Sequence, residues 1–239
     1  SNSLIQHKYN RRIFSNIRLY LIFLSMKKIN VIFILLFVVC CVYAQDPVNS
    51  ILKNSPFKNI FNSKNVEQSI KQLSDIWKAD GNGVSFVLIV DSLPLSSSEI
   101  ISYSKKYLED AYRPSKYEIE NLNPDNLVIG KGAFNNFESY AAFPNQYTFN
   151  CVYHMRIDAK QGRARICFSF TEYDLIRING NINENRIVKV KDVSPLNPDS
   201  DSRKMYNKAF LSMAKLAVST LYDIREMLKS KSSTQAVDW

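Results

Sequence analysis

The side chains with the clearest potential for chemistry are an imidazole and a thiol, His154 and Cys167. Both fall in residues 147–170, whose alternating polarity predicts two neighbouring antiparallel strands. Side chains directly opposed on such strands have Cβ atoms about 5 Å apart, so His154 could deprotonate Cys167, or both could bind a metal ion. A His and a Cys that face each other without function are the alternative. A hydrolase would also need an oxyanion site and an orienting group, and two ligands leave a metal site incomplete.

Basic side chains gather on the same pair of strands. Arg156 and Arg165 lie opposite each other in the register derived below, and Lys160 and Arg163 lie near the turn. Like charges directly across a strand pair repel, so a bound anion, an acidic partner or nearby carboxylates would relieve them. Arginines spread into solvent are the alternative interpretation.

Two further motifs are weak. Gly130-Lys131-Gly132 lacks the surrounding frame of a phosphate-binding loop, and glycines inside a strand more often mark a bulge or close packing. Asn179, Asn181, Asn183 and Asn185 alternate, but the Gly and terminal Glu of a calcium loop are absent. The Asn-rich stretch therefore predicts a loop tip.

The alternation of polarity fixes which residues share a face. Apolar residues occupy the odd positions 149–157 of the first strand and the even positions 164–170 of the second. Antiparallel pairing brings both sets to one face only if paired residue numbers sum to an odd number, such as 321, with a loop of two or four residues. Cys151 then lies on the core face and Cys167 on the opposite face. A disulfide needs Cβ atoms directed at each other, so we predict two free thiols.

Hydrophobic spacing and turn residues predict the other elements. The predicted helices are residues 65–78, a helix that begins with the capping box Ser96-Ser97-Ser98-Glu99 and ends before Pro114, and residues 203–229. The last helix has a continuous apolar stripe that the sheet should cover. Further strands are predicted at 84–90, 116–120, 127–134, 175–178 and 186–193.

Residues 26–44 have the layout of a secretory signal peptide. Lys27 and Lys28 precede an apolar run, and Val42 and Ala44 form a cleavage signal before Gln45. A retained membrane anchor and a lipoprotein signal are the alternatives. We expect residues 1–25 to lie outside the native protein and 45–63 to be a flexible segment. Residues 64–230 should form a single α+β domain, and 231–239 a loose tail.

The leader also accounts for most of the net charge of +9. Six of the 31 basic residues and none of the 22 acidic residues precede Gln45, which leaves 25 basic residues in the 195 that follow. This near balance predicts no nucleic-acid partner, and cleavage would leave no stable membrane span. We expect a periplasmic or extracellular protein that needs no metal or cofactor.

The sequences LVIGKGAF at 127–134 and YTFNCVYHMRIDAKQGRARICFSF at 147–170, with a leader ending in Ala-Gln, carry a family resemblance. The chain resembles a secreted bacterial domain-of-unknown-function family with a TATA-binding-protein-like (TBP-like) fold, over about residues 84–230. The resemblance implies an α+β fold in the order β-α-β-β-β-β-α, with a curved antiparallel sheet and helices packed on one face. It implies no catalytic residues.

We therefore expect a non-enzymatic binding or scaffold domain of the bacterial envelope. Its contact surface would be the sheet face opposite the helices, and its partner a protein, a peptide or an envelope glycan. The expected binding residues are Asn150, His154, Arg156, Arg165, Cys167, Ser169 and Thr171. The alternative is a small hydrolase or thiol enzyme that uses Cys167 and His154.

Overall fold

The structure is a computed structural model that describes residues 55–81, 83–111, 118–123 and 126–235. Its helices are α1 (Lys58–Phe61), α2 (Val66–Gln72), α3 (Ser97–Ala111) and α4 (Arg203–Gln235). Its strands are β1 (Trp77–Asp80), β2 (Gly83–Val90), β3 (Glu118–Asn123), β4 (Leu127–Ala142), β5 (Asn145–Lys160), β6 (Arg163–Phe170), β7 (Glu172–Asn179) and β8 (Ile182–Lys189). Within these ranges, no helix has the length and apolarity needed to cross a membrane.

All eight strands join one antiparallel sheet. Six follow the order β1-β2-β6-β5-β4-β3, and β7 pairs with β5 and β8. The 16-residue β5 pairs with β6 along residues 154–160 and with β7 along residues 146–150. The α+β class with an open antiparallel sheet is therefore confirmed. Strands β7 and β8 overlap the strands predicted at 175–178 and 186–193, whereas β1 was not predicted.

The helices cover one face of this sheet. Helix α3 packs on β4 and β5, while α4 packs on β2, β4 and β6 and also contacts α3. The alternate residues Cys151, Tyr153, Met155 and Ile157 of β5 are buried beneath them. Tyr153 and Phe168 are fully buried, and their rings stack with centroids 4.5 Å apart. The predicted apolar face is therefore confirmed, and it forms the core.

The predicted start of α3 is also confirmed. The Ser96 hydroxyl accepts a hydrogen bond from the Glu99 backbone N–H, and the Glu99 carboxylate accepts one from the Ser96 backbone N–H. These reciprocal bonds satisfy amides that the first helical turn leaves unpaired. Pro114, the predicted end of this helix, lies outside the described residues, as do residues 116–117 of the next predicted strand.

Several element boundaries differ from the predicted ones. Helix α2 ends at Gln72, earlier than predicted, because Trp77 belongs to β1. The Trp77 ring packs edge-on against the Phe210 ring, with centroids 5.1 Å apart. The segment expected to be flexible contains α1, and α4 continues to Gln235 through part of the expected loose tail. In the Asn-rich stretch, only residues 180–181 separate β7 from β8. Residues 1–54, including the predicted leader, lie outside the described residues.

Candidate functional site

The sheet surface opposite the helices, here called the open face, consists of side chains in rows that cross the central strands. The registers of β4, β5, β6 and β2 define three adjacent rows. These rows are Lys131–His154–Ser169–Ser85, Ile129–Arg156–Cys167–Val87 and Leu127–Asp158–Arg165–Ile89. Neither α3 nor α4 covers these rows, because both helices pack on the opposite face.

Most of the expected binding residues lie on this surface. His154, Arg156, Arg165 and Thr171 are exposed, whereas Asn150, Cys167 and Ser169 are partly buried. Thr171 lies between β6 and β7 rather than within a strand.

Asn150 differs from the others because its amide already has partners within the protein. Its Oδ1 accepts a hydrogen bond from the Asn136 backbone N–H at 2.7 Å, and its Nδ2 donates to Asp174 Oδ2 at 3.3 Å. Asn136 lies in the bulge where the pairing of β4 with β5 shifts, and it has a positive φ of 51°. Asn150 therefore holds the bulge and β7 in place, and its amide is less available to a ligand.

The predicted register of β5 and β6 is wrong by two residues. The turn consists of Gln161 and Gly162 alone, so paired residue numbers sum to 323 instead of 321. His154 consequently lies opposite Ser169, Cys167 opposite Arg156, and Arg165 opposite Asp158. The sum remains odd, which is why every side chain keeps its predicted face.

This register removes the expected repulsion between the two arginines and replaces it with an ion cluster. Arg156 donates to both Asp158 oxygens, with its shortest contact 2.7 Å from Nη2 to Oδ1. Arg165 donates to Asp158 Oδ2 from Nη2 at 2.9 Å and from Nε at 3.1 Å. Partial burial raises the pKa of Asp158, but the hydrogen bonds from both arginines outweigh it, and the net pKa is lowered. From the sequence, a bound anion, an acidic partner or a nearby carboxylate could relieve the repulsion between the arginines. The structure contains the nearby carboxylate, which is that of Asp158.

The thiols do not have the properties of an activated nucleophile. Both are free and lie on opposite faces as predicted, with Cys151 buried and Cys167 half-buried. Burial raises the pKa of Cys167, although a hydrogen bond with Ser85 and the charge of Arg165 oppose the shift. Burial also raises the pKa of Cys151 far above the ordinary thiol value. A thiol with a raised pKa is mostly protonated near neutral pH, and the thiolate is the reactive form.

Exposed aliphatic side chains form a part of the open face that the sequence did not reveal. Val87 and Ile89 on β2 are 38% and 47% exposed, and Val152 on β5 is 44% exposed. The run Val-Ser-Phe-Val-Leu-Ile-Val at 84–90 resembles a strand buried on both faces, so sequence alone did not mark these residues as accessible.

The two weak motifs have structural explanations. Gly130 lies within β4, where a Cβ atom would come 3.3 Å from Leu108 Cδ1 of α3. The glycine thus permits close packing of helix on sheet, one of the two roles expected for it. Asn179, Asn183 and Asn185 lie in β7 and β8, so most of the Asn-rich stretch is strand rather than loop tip. In the described part of the chain, no group of three or more His, Cys, Asp or Glu side chains is placed to bind a metal ion.

Comparisons with known proteins find similarity to solved structures alone. No protein-family model and no curated protein matches the chain. Among solved structures, it is similar to a TBP-like protein from Parabacteroides distasonis ATCC 8503, with 17% identity over 64% of this chain and 96% of that chain and a TM-score of 0.47. It is also similar to a DUF4468 family protein from Bacteroides ovatus ATCC 8483, with 13% identity over 66% and 90% of the two chains and a TM-score of 0.40.

The sheet topology of the chain itself defines an α+β protein with an open antiparallel sheet. The TBP-like fold and the domain-of-unknown-function family named for these two bacterial structures are of the kind that the sequence resemblance implies. Fold alone assigns no function, so the functional argument rests on the open face.

Proposed function

We propose that this protein is a non-enzymatic binding domain, exported to the cell envelope, whose open face docks a partner protein. The observation that supports this most directly is the mixed surface formed by Val87, Ile89, Arg156 and Arg165 on adjacent strands. Exposed apolar side chains next to arginines are typical of protein interfaces, whose centres are enriched in apolar side chains and Arg.

The charges of the open face favour an acidic partner. Four basic side chains project from this part of the open face: Arg156 and Lys160 on β5, and Arg163 and Arg165 on β6. Asp158 pairs with Arg156 and Arg165, and Asp91 pairs with Arg163. Asp158 engages only Nε and Nη2 of Arg156 and Arg165. A guanidinium carries five N–H donors, so donors remain for a carboxylate of the partner.

The thiol-enzyme alternative has less support. It requires an activated Cys167 next to His154, whereas Cys167 lies opposite Arg156 and its pKa is raised. A Cys–His pair that performs nucleophilic catalysis needs a lowered thiol pKa and a direct contact between the two side chains.

The proposal of export rests on the sequence of residues 26–44. If these residues are a cleaved leader, protein recovered from the envelope fraction should begin at Gln45. N-terminal sequencing of that protein tests this part separately. A chain that retains residues 26–44 in the membrane fraction would support the anchor instead.

The binding proposal can be tested by NMR with a peptide probe. A synthetic peptide of alternating Glu and Leu should shift backbone amide signals of β2, β5 and β6, whereas one of alternating Lys and Leu should not. Removing both guanidinium groups, in the double variant Arg156→Gln and Arg165→Gln, should weaken binding about tenfold or more. The matched control is Arg225→Gln, which removes an arginine from α4 on the other side of the sheet.

Three outcomes would contradict the proposal. One is an absence of saturable shifts on β2 and β6, and another is equal affinity of the double variant and Arg225→Gln. The third is binding of a soluble N-acetylated glycan at the same residues without binding of the acidic peptide, which would identify the open face as a glycan site.

A further inference from the structure

Strand β8 forms an edge of the sheet that is accessible along most of its length. Among the described residues, β8 pairs only with β7, so no strand lies beside its outer edge. Residues 182–187 are all exposed, and the side chains of Ile182 and Ile187 are 54% and 56% exposed. The backbone N–H and C=O groups of such an edge can pair with a further strand. The edge is distinct from the open face, and a contact made there does not depend on the proposed docking function.

The hairpin of β7 and β8 determines which backbone groups point outward. Residues 180–181 alone connect the two strands, and Asn179 pairs with Ile182. In a two-residue hairpin, the pair that closes the turn exchanges both hydrogen bonds, and every second pair from there does the same. The even-numbered residues of β8 therefore direct their backbone groups toward β7. The outward groups belong to Asn183, Asn185 and Ile187.

The even-numbered side chains of β8 lie on the helix side of the sheet, because Val188 pairs with the buried Tyr173 and Arg186 with the buried Leu175. In chain order, these positions are Ile182, Glu184, Arg186 and Val188. The order apolar, acidic, basic, apolar is complementary to itself when the strand is reversed. An antiparallel second copy of β8 would therefore place a favourable partner opposite each of the four side chains.

Backbone direction and charge together select one register. Two edge strands bond through the outward groups of both, so the outward residues of two copies must lie opposite one another. With the two Asn185 residues opposite each other, Glu184 of each copy lies opposite Arg186 of the other, and Ile182 lies opposite Val188. A shift of two residues would instead bring the two Glu184 or the two Arg186 side chains together. Like charges directly opposed are destabilising, so only the first register is favoured.

The two charged side chains are available for this contact. Arg186 has no carboxylate partner among the described residues. Glu184 Oε2 accepts a hydrogen bond from Arg177 Nη1 at 3.2 Å, and the side chains of Arg177 and Glu184 are 40% and 56% exposed. A carboxylate has about four acceptor positions, so Glu184 can accept from a second guanidinium as well.

We propose that two copies of this chain associate through antiparallel pairing of their β8 strands about a two-fold axis at Asn185. Residues directly opposite each other share a face, so the two sheets become one, with all helices on one side and both open faces on the other. A contact along one strand is small, and we therefore expect a weak dimer that dissociates on dilution.

Sedimentation velocity of the purified protein from micromolar to millimolar concentrations tests the proposal, and we expect a monomer–dimer equilibrium. Glu184→Arg and Arg186→Glu each place like charges opposite one another at two positions, so each should weaken association about tenfold or more. Glu109→Arg is the matched control, because it makes the same charge change at an exposed position of α3. This control should dimerise as the wild type does.

A mixture of Glu184→Arg with Arg186→Glu tests the register itself. In the mixed dimer, each basic position of one chain lies opposite an acidic position of the other, so the mixture should dimerise far more tightly than either variant alone. Hydrogen exchange measured by NMR tests the backbone pairing. The amides of Asn183, Asn185 and Ile187 should exchange more slowly at concentrations at which the dimer forms.

Four results would overturn the proposal. A protein that stays monomeric throughout would leave the edge to a strand of another protein. Charge variants that dimerise as tightly as Glu109→Arg, or a mixture that dimerises no better than its components, would exclude the pairing of Glu184 with Arg186. A dimer in which the three outward amides exchange as fast as in the monomer would associate through another surface.

Discussion

The ion cluster on the open face gives a prediction whose size and pH dependence both follow from the structure. Asp158 is 24% exposed and accepts hydrogen bonds from two arginines whose side chains are 48% and 56% exposed. Exposed ion pairs contribute about 0.2–1 kcal/mol each, and bidentate geometry places a pair toward the upper end. With allowance for screening by solvent, we expect Asp158→Asn to lower the free energy of unfolding at pH 7 by about 1–2 kcal/mol.

The pH dependence identifies the charge of Asp158 as the cause. Folding lowers the pKa of this carboxyl group, so its stabilising contribution is complete above the unfolded value of about 3.9. The contribution is lost as the pH falls through the lower, folded-state pKa. The difference in unfolding free energy between the wild type and Asp158→Asn should therefore be constant near neutral pH and should shrink under acidic conditions.

Urea denaturation at a series of pH values measures this difference, with an unchanged m-value as the check that the mutation alters stability alone. The matched control is Asp91→Asn. Asp91 makes a single contact with Arg163 at 2.7 Å, and both side chains are more than half exposed. The control should lose under about 0.5 kcal/mol.

Two results would refute this reasoning about the cluster. Equal losses in Asp158→Asn and Asp91→Asn at pH 7 would show that the shared carboxylate has no special role. A loss in Asp158→Asn that persists unchanged at low pH would show that packing, rather than charge, is responsible. The same variant should bind the acidic peptide probe more tightly, because it leaves two guanidinium groups without a competing carboxylate.

Three further predictions concern the core, the thiols and the first turn of α4. Phe168→Ala should lower the free energy of unfolding by about 3–5 kcal/mol in urea denaturation, because the ring is fully buried. A loss below about 1 kcal/mol would contradict the assigned core. In maleimide labelling at neutral pH, Cys167 should react slowly, and Cys151 should react only after unfolding. If His154→Ala markedly slows the labelling of Cys167, the two residues form an activated pair and the prediction is wrong. In urea denaturation, Lys204→Glu should raise the free energy of unfolding by about 0.5 kcal/mol, because it places an acid in the first turn of α4, which has none. An unchanged or lower free energy of unfolding would contradict this account of the helix end.

The sequence predicted the faces of β5 and β6 because alternation depends only on local polarity. It did not predict the register, since every odd sum of residue numbers gives the same faces. The two-residue turn is held by contacts with a distant loop, in which the Leu93 N–H donates to the Gly162 carbonyl and the Gly162 N–H donates to the Leu95 carbonyl. No local pattern in the turn reveals these partners.

Tertiary contacts also decided the elements that were assigned differently. Trp77 and Ile76 fit the apolar stripe of a helix, but the pairing of Trp77 with Phe86 and its contact with Phe210 place it in β1. Strand β4 continues eight residues beyond its predicted end at Phe134. The prediction stopped early because the bulge between Phe134 and Glu138 interrupts the alternation of polarity. In each case, long-range pairing overrode a local signal.

The register error affects the two functional hypotheses unequally. A shift of two residues leaves every side chain on its face, so the binding surface depends only on the alternation. Catalysis by Cys167 and His154 depends on which residues lie directly opposite each other, and that is the property the shift changes. The same shift places Asp158 beside Arg165, so the arginines form an ion cluster with Asp158 instead of repelling each other. Some of their N–H donors remain without a partner in this cluster. The set of side chains on the open face was therefore predictable from the sequence, whereas the choice of a catalytic pair required the register of the folded sheet.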